Sequence, residues 1–332
     1  MEMDFDRALE VFAALDPAQK APSQHPAYVR ADAERSPELR PVFFVHDNNG
    51  SLYYHGFHLA AVDGTAFFDI QSPYGYGGPV ASSNDEAFLA GARSAFGVWC
   101  REHNVLVEFI RFHPLLDNWG MYHGEVIPDR QTVWIDLRTD DLLMSYGTRA
   151  RTAIRKAVRE GLRVEWVDAL QFLRLFPTMY RRAMAALNAD EFYHFGDRYF
   201  EQMLRWDNLH TALCFLGSEV VGGAMFLAEG IRMEYHLSAV TPTGKKLSAT
   251  NLMLHEAGLL GQKLECTALH LGGGTDSREN NALLFFKAGF SPHREVFKIG
   301  KHVHQPAAYN GLREKWRQIH GSVSERILFY RI

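Results

Sequence analysis

The chain has 332 residues, 47% of them hydrophobic and 22% charged, with a formal net charge of −4. That length favours two domains of ordinary size, and the composition excludes a disordered chain. The acidic balance argues against a protein that coats nucleic acid. No apolar run approaches the roughly 20 residues needed to span a bilayer, and the acidic start, Met1-Glu2-Met3-Asp4, lacks a secretory layout. Cys100, Cys214 and Cys266 form no Cys-x-x-Cys pair, so a reducing cytoplasm is expected. Sixteen histidines contain no His-Glu-x-x-His motif. His302 and His304 share one face of a strand and read as an exposed strand edge, so no metal ligand is expected.

In chain order, residues 41–45 and 52–57 are β-rich runs flanking Asp47-Asn48-Asn49-Gly50, a hairpin signal. Residues 67–70 form a third strand, ending in Ser72-Pro73-Tyr74-Gly75-Tyr76. Residues 84–104 carry helical spacing through Phe88, Ala92, Phe96 and Trp99, and 105–112 and 133–137 are strands. The second half opens with a helix over 145–160, ended by Gly161. A strand (162–167), two helices (170–187 and 197–206) and three strands (211–216, 221–228, 231–240) follow. After a loop at 241–248 come a helix (249–264), a strand (267–271), a helix (281–288) and a strand (294–300). A last strand is expected over 326–332.

One stretch stands out chemically. The apolar strand Leu269-His270-Leu271 runs into Gly272, Gly273 and Gly274, and a short helix carrying Lys287 follows. Glycines at a strand end let a ligand lie directly on the main chain, and Lys287 is placed to supply a positive charge. Such a pairing suits a transferase: an amine attacking an acyl carbonyl needs a docked carbonyl and stabilisation of the developing oxyanion. Lys287 with main-chain N–H groups around Gly273 and Gly274 is the expected oxyanion site. The proton acceptor stays open among Glu234, His236, His270 and Asp276, with the substrate itself a further possibility. Glu234, His236 and Ser238 are expected on one face of their strand, with Tyr235 and Leu237 on the other. Arg151, Arg155 and Arg159 share one helix face and suit a phosphate.

The order of elements is similar to the GNAT acyltransferase fold, and the first half looks like a shorter version of the same core. The expected fold class is α/β with two tandem GNAT-like (acyl-CoA N-acyltransferase fold) domains, at 1–144 (completed by 317–332) and 145–316, with the acceptor held between them. Four motifs in order resemble the Fem family of tRNA-dependent peptidyltransferases, the last of them the related GNAT-type proteins of cell-envelope and polysaccharide clusters. They are the basic helix 151–157 with Gly161, the strand 234–239, the glycine-rich strand end with Phe286-Lys287, and the loop Tyr74-Gly75-Tyr76-Gly77-Gly78-Pro79. There are departures. No heptad run provides a coiled-coil arm, and Arg111-Phe112-His113-Pro114 stands where related members have Asp-Pro.

The resemblance implies that Lys287 sits at the reacting carbonyl. It also implies aminoacyl transfer from aminoacyl-tRNA to a peptide or cell-envelope-type amine, with no cofactor. Tyr74, Tyr76, Arg111, His113, Arg151, Arg155, Tyr193 and His270 are the expected substrate contacts. The loop at 241–248 occupies the place where GNAT enzymes bind the CoA pyrophosphate. Here Gly244 is kept, but Lys245-Lys246-Leu247 displaces the second small residue. An acyl-CoA-dependent N-acyltransferase and a catalytically silent binding module are the alternatives.

Overall fold

The computed structural model describes every residue except Ser277, Glu279, Asn280, Val323 and Ile332. Part of the linker at 276–281 and the end of the expected last strand therefore lie outside the described residues. By internal packing the chain divides into two compact units, Met1–Asp129 with Phe297–Ile332, and Arg130–Val296. The α/β class is as expected.

Unit 1 opens with β1 (Glu2–Met3), α1 (Phe5–Ala14) and α2 (Pro26–Ala33), a region where the sequence reading places no element. Asp4 caps α1 by accepting from the amide of Arg7 at 2.8 Å, and Pro26 begins α2. Tyr28, Val29, Ala31, Asp32 and Ala33 are all buried and only Arg30 is exposed, so α2 shows little amphipathic period.

β2 (Arg40–Asn48) and β3 (Ser51–Ala61) pair around Asn49 and Gly50, both at positive φ, as the hairpin signal requires. β4 (Phe68–Gln71) and β5 (Val80–Ala81) both pair with β3. α3 (Glu86–Glu102), capped by Asp85, lays Phe88, Ala92, Phe96 and Trp99 against Phe44, Phe57 and Ile70. Burying each phenylalanine stabilises by about 1.5–3 kcal/mol. β6 (Val105–Arg111) returns parallel to β4, and β7 (Glu125–Asp136) leads into the second unit.

Unit 2 continues with α4 (Leu142–Ser145), α5 (Thr148–Arg159), β8 (Leu162–Trp166), α6 (Ala169–Ala186) and α7 (Asp197–Met203). Gly161 after α5 has φ +83°, the left-handed C-terminal stop its sequence position implies. Next come β9 (Leu209–Leu216), β10 (Glu219–Glu229), β11 (Arg232–Val240), α8 (Pro242–Lys246) and α9 (Ala249–Lys263). β12 (Ala268–Gly273), α10 (Ala282–Ala288) and the start of β13 (Arg294–Val303) complete it. Strand order within the unit is β7-β12-β11-β10-β9-β8, with β11 and β12 parallel. α5 and α9 cover one face, burying Ile154, Ala157, Leu252, Met253 and Ala257 against Cys214, Phe226 and Met233. Cys214 and Cys266 are core residues, and burial pushes both thiols up to about 11.

Two expectations change here. The segment 241–248 is not an open loop but the short helix α8, capped by Thr241. Strand β11 does not alternate regularly: Met225 pairs with Leu237 and Phe226 with Tyr235, so His236 is an extra residue in a bulge. Beyond the bulge the faces exchange, and the Tyr235 hydroxyl touches that of Ser238.

The chain then returns to unit 1, whose strand order is β1-β2-β3-β4-β6-β13. α11 (Pro306–His320) precedes the tail. The expected strand at 326–332 is absent among the described residues, which form turns instead. Leu328 and Phe329 pack on Val62, Leu106 and Tyr309, and Arg331 donates to the buried Asp69 at 2.7 Å. The apolar run is used for packing, with no ladder. No described helix is long and apolar enough to cross a membrane.

Candidate active site in the second unit

The glycine-rich end of β12 is shaped by pairing with β7. His270 faces Trp134 and Gly272 faces Val133, which makes Leu271 an extra residue, and Gly272 turns with φ +77°. A Cβ on Gly273 would lie 2.7 Å from the Gln131 carbonyl, and one on Gly274 would lie 2.5 Å from the Asn281 side chain. These glycines serve close backbone approach.

Lys287 projects from α10 and is 7% exposed, with its ammonium donating to the Gly273 carbonyl at 2.8 Å. Among the described residues no carboxylate pairs with it. Burial alone lowers its pKa to about 7. A lysine poised there is half cationic near neutrality and keeps two more N–H bonds to give.

Asn281, which the sequence reading overlooked, organises the surroundings. Its Oδ1 accepts from the amides of Leu283 and Leu284, capping α10, and its Nδ2 donates to Thr275 and Asp276. The signal was available: Asn immediately before a helical run is a favoured N-cap. Arg130 was also missed, and it donates to the carbonyl of Thr275 at 2.9 Å. Asp276 accepts from Arg278 and Asn281, and Arg278 holds its carboxyl well below the usual range. Such a carboxylate is a poor proton acceptor.

Glu234 and His270 are neighbours in register on β11 and β12, and both are buried. His236, in its bulge, is hydrogen-bonded to the hydroxyl of Tyr199 on α7. Tyr193 offers its carbonyl to Tyr180 at 3.0 Å, in the aromatic connection between α6 and α7. Arg151 and Arg155 both reach Met144, through its carbonyl and its sulfur, and Arg155 and Arg159 are exposed. The basic face therefore exists as a face.

At 241–248 the main chain is already occupied. The amides of Gly244 and Lys245 donate to Thr241, that of Leu247 to Thr243, and that of Ser248 to Lys245. Ser248 precedes α9 at φ +66° without a side-chain cap. A Cβ on Gly244 would lie 2.1 Å from the Val221 carbonyl, so this glycine serves packing. Two clefts of about 350 and 390 Å³, both lined by Trp166 and Leu260, contain none of the candidate residues.

In unit 1 the remaining four candidates gather around one loop. Tyr74 is fixed through its amide to Asp32 at 2.8 Å, and Gly77 donates to the Arg111 carbonyl at 2.7 Å. The rings of Tyr76 and His113 meet edge to face at 5.4 Å. Asn118, buried, donates to the carbonyls of Gly77 and Pro79.

Comparison with known proteins accords with this architecture. The family model for the Acetyltransferase (GNAT) domain matches residues 145–280. No curated protein matches the chain by sequence. Among solved structures, FemX superposes with a TM-score of 0.70 at 12% identity, covering 97% of this chain and 99% of that one. L-PGS from Bacillus licheniformis gives 0.60 at 13%, covering 92% and 95%. The C-terminal domain of a putative lysylphosphatidylglycerol synthetase from Agrobacterium fabrum gives 0.59 at 14%, covering 95% and 97%. Residues 145–280 are thereby similar in sequence to a GNAT acetyltransferase domain, and the chain as a whole is similar in fold to FemX.

Proposed function

We propose that the protein carries an aminoacyl group from aminoacyl-tRNA to the amine of a peptide or cell-envelope-type precursor, in the cytoplasm. The observation that carries this reading is Lys287, a buried ammonium fixed to the carbonyl of Gly273 at the glycine-rich strand end. The acceptor nitrogen bonds to the ester carbon, the bond to the terminal ribose oxygen of the tRNA breaks, and the amine proton ends on that oxygen. Charge developing on the carbonyl oxygen is held by Lys287 together with main-chain N–H groups around Gly273 and Gly274. Glu234, His236 and His270 are the proposed proton acceptors, and Asp276, committed to Arg278, is better placed to order the strand end.

Two observations favour a tRNA donor over a CoA thioester. A pyrophosphate needs consecutive free amides, and at 241–248 four are already donated within the turn. The exposed arginines of α5 offer phosphate contacts instead. The likeness to a lysylphosphatidylglycerol synthetase, named for an aminoacylated product, points the same way. Tyr74, Tyr76, Arg111 and His113 are proposed acceptor contacts, and Tyr193 a further substrate contact.

Incubating the purified protein with charged tRNA or acyl-CoA pools and an amine, with donor consumption read by mass spectrometry, tests the assignment. Deacylation of tRNA that depends on the amine is expected, and acetyl-CoA should bind no tighter than about 1 mM, roughly −4 kcal/mol. Micromolar acetyl-CoA binding with thioester turnover would replace the tRNA donor with CoA. Consumption of neither donor would leave a binding module.

A further inference from the structure

Unit 1 contains a second cluster of functional side chains, remote in sequence from Lys287. Glu108 on β6 is fully buried and faces the apolar core that holds Ile110 and Phe112. A carboxylate in that position is costly unless cationic or hydrogen-bonding partners surround it. Three histidines do so. His302 lies directly opposite Glu108 in the β6–β13 register. His304 donates from Nε2 to Glu108 Oε1 at 2.6 Å, and His123 Nε2 lies 3.1 Å from the same oxygen. The His123 loop can come this close only because Gly124 follows it: a Cβ there would lie 2.5 Å from the Lys301 carbonyl and 2.8 Å from the His302 Cβ.

His123, His302 and His304 each offer a ring nitrogen within 4.8 Å of the other two. The ring of His302 is 4.5 Å from that of His123 and 4.4 Å from that of His304. Nδ1 of half-buried His123 and the second oxygen of Glu108 have no hydrogen-bond partner among the described residues. Hydrogen bonding within the cluster thus leaves polar atoms unsatisfied that a cation would satisfy.

We propose that His123, His302 and His304, with the Glu108 carboxylate beside them, form a structural site for a divalent zinc-class cation. Three imidazoles and one carboxylate are a donor set that suits zinc. Zinc–nitrogen bonds of about 2.0–2.1 Å in tetrahedral geometry require only a modest contraction of the nitrogens through side-chain rotation. The carboxylate supplies the charge, as ligand or as hydrogen-bond partner to the imidazoles. The ion ties the His123 loop to β13 and β6.

The test is titration of the full-length protein with Zn²⁺ by calorimetry, with thermal melts and X-ray absorption of the zinc-loaded form. One zinc per chain in the micromolar range or tighter is expected, with about three nitrogen ligands near 2.0 Å and a higher melting temperature with zinc than without. His302→Ala and His123→Ala should each weaken that binding at least tenfold and abolish the zinc-dependent rise in melting temperature. Glu108→Gln, which keeps the shape, should weaken it less. Because His302 is only half-buried, His302→Ala is the variant expected to fold, and circular dichroism without zinc checks this. Zinc binding equal in wild type and both histidine variants, or no effect of zinc on wild-type melting, would overturn the proposal and leave a hydrogen-bonded cluster.

Discussion

Unit 2 contains two glycine-bearing turns, each a ligand-site expectation from the sequence, and their donors are disposed differently. At 241–248 the glycine faces inward against Val221 and the amides close on themselves as α8. At the end of β12 the glycines let the Gln131 carbonyl and the Asn281 side chain approach closely, and the carbonyls of Gly273 and Thr275 accept from Lys287 and Arg130. One turn has spent its donors on its own fold, whereas the other keeps a cation with N–H bonds to give. Glycine content alone does not identify a ligand site; the destination of the neighbouring donors does.

The largest expected effect is at the end of β12. Lys287→Met keeps the stem and removes the charge, so turnover should fall roughly 10²–10³-fold while the fold survives, as circular dichroism and steady-state rates would reveal. Next in size is the basic face of α5, the proposed phosphate contact. Arg155→Ala should cost about 1.5–3 kcal/mol in affinity for the phosphate-bearing substrate, and the loss should shrink as salt rises. If only melting temperature changed, that face would be structural. Smallest is Asn281→Ala, which removes the α10 cap and should lower stability by about 1 kcal/mol in denaturant titration, with a rate loss if the cap also positions Lys287.

Legibility from sequence followed how local each determinant was. The hairpin at Asn49 and Gly50, the stop at Gly161 and the glycine-to-lysine stretch are encoded by neighbouring residues, and the structure has them at the expected positions. The bulge at His236 is set by how β10 pairs with β11, so a strict period of two misassigned the face of Ser238. α2 escaped detection because burial of all but a narrow edge at Arg30 weakens amphipathic spacing. His302 and His304 looked like an exposed edge because their companions, Glu108 and His123, come from nearly 200 residues away. The tail at 326–332 has strand-like composition but spends its apolar residues on α11 and β6, which only the tertiary fold decides.

The central claim is that Lys287 acts as a cation at the reacting carbonyl, and its burial makes that claim measurable. With a pKa lowered to about 7, the ammonium is present below pH 7 and lost as pH rises through it. The acceptor amine titrates too, but it does so equally in wild type and Lys287→Met, so the ratio of their turnover rates isolates Lys287. The ratio should be large at pH 6 and fall towards one between pH 7 and 9. A ratio that stays constant, or that rises with pH as for a neutral lysine acting as base, would contradict the account.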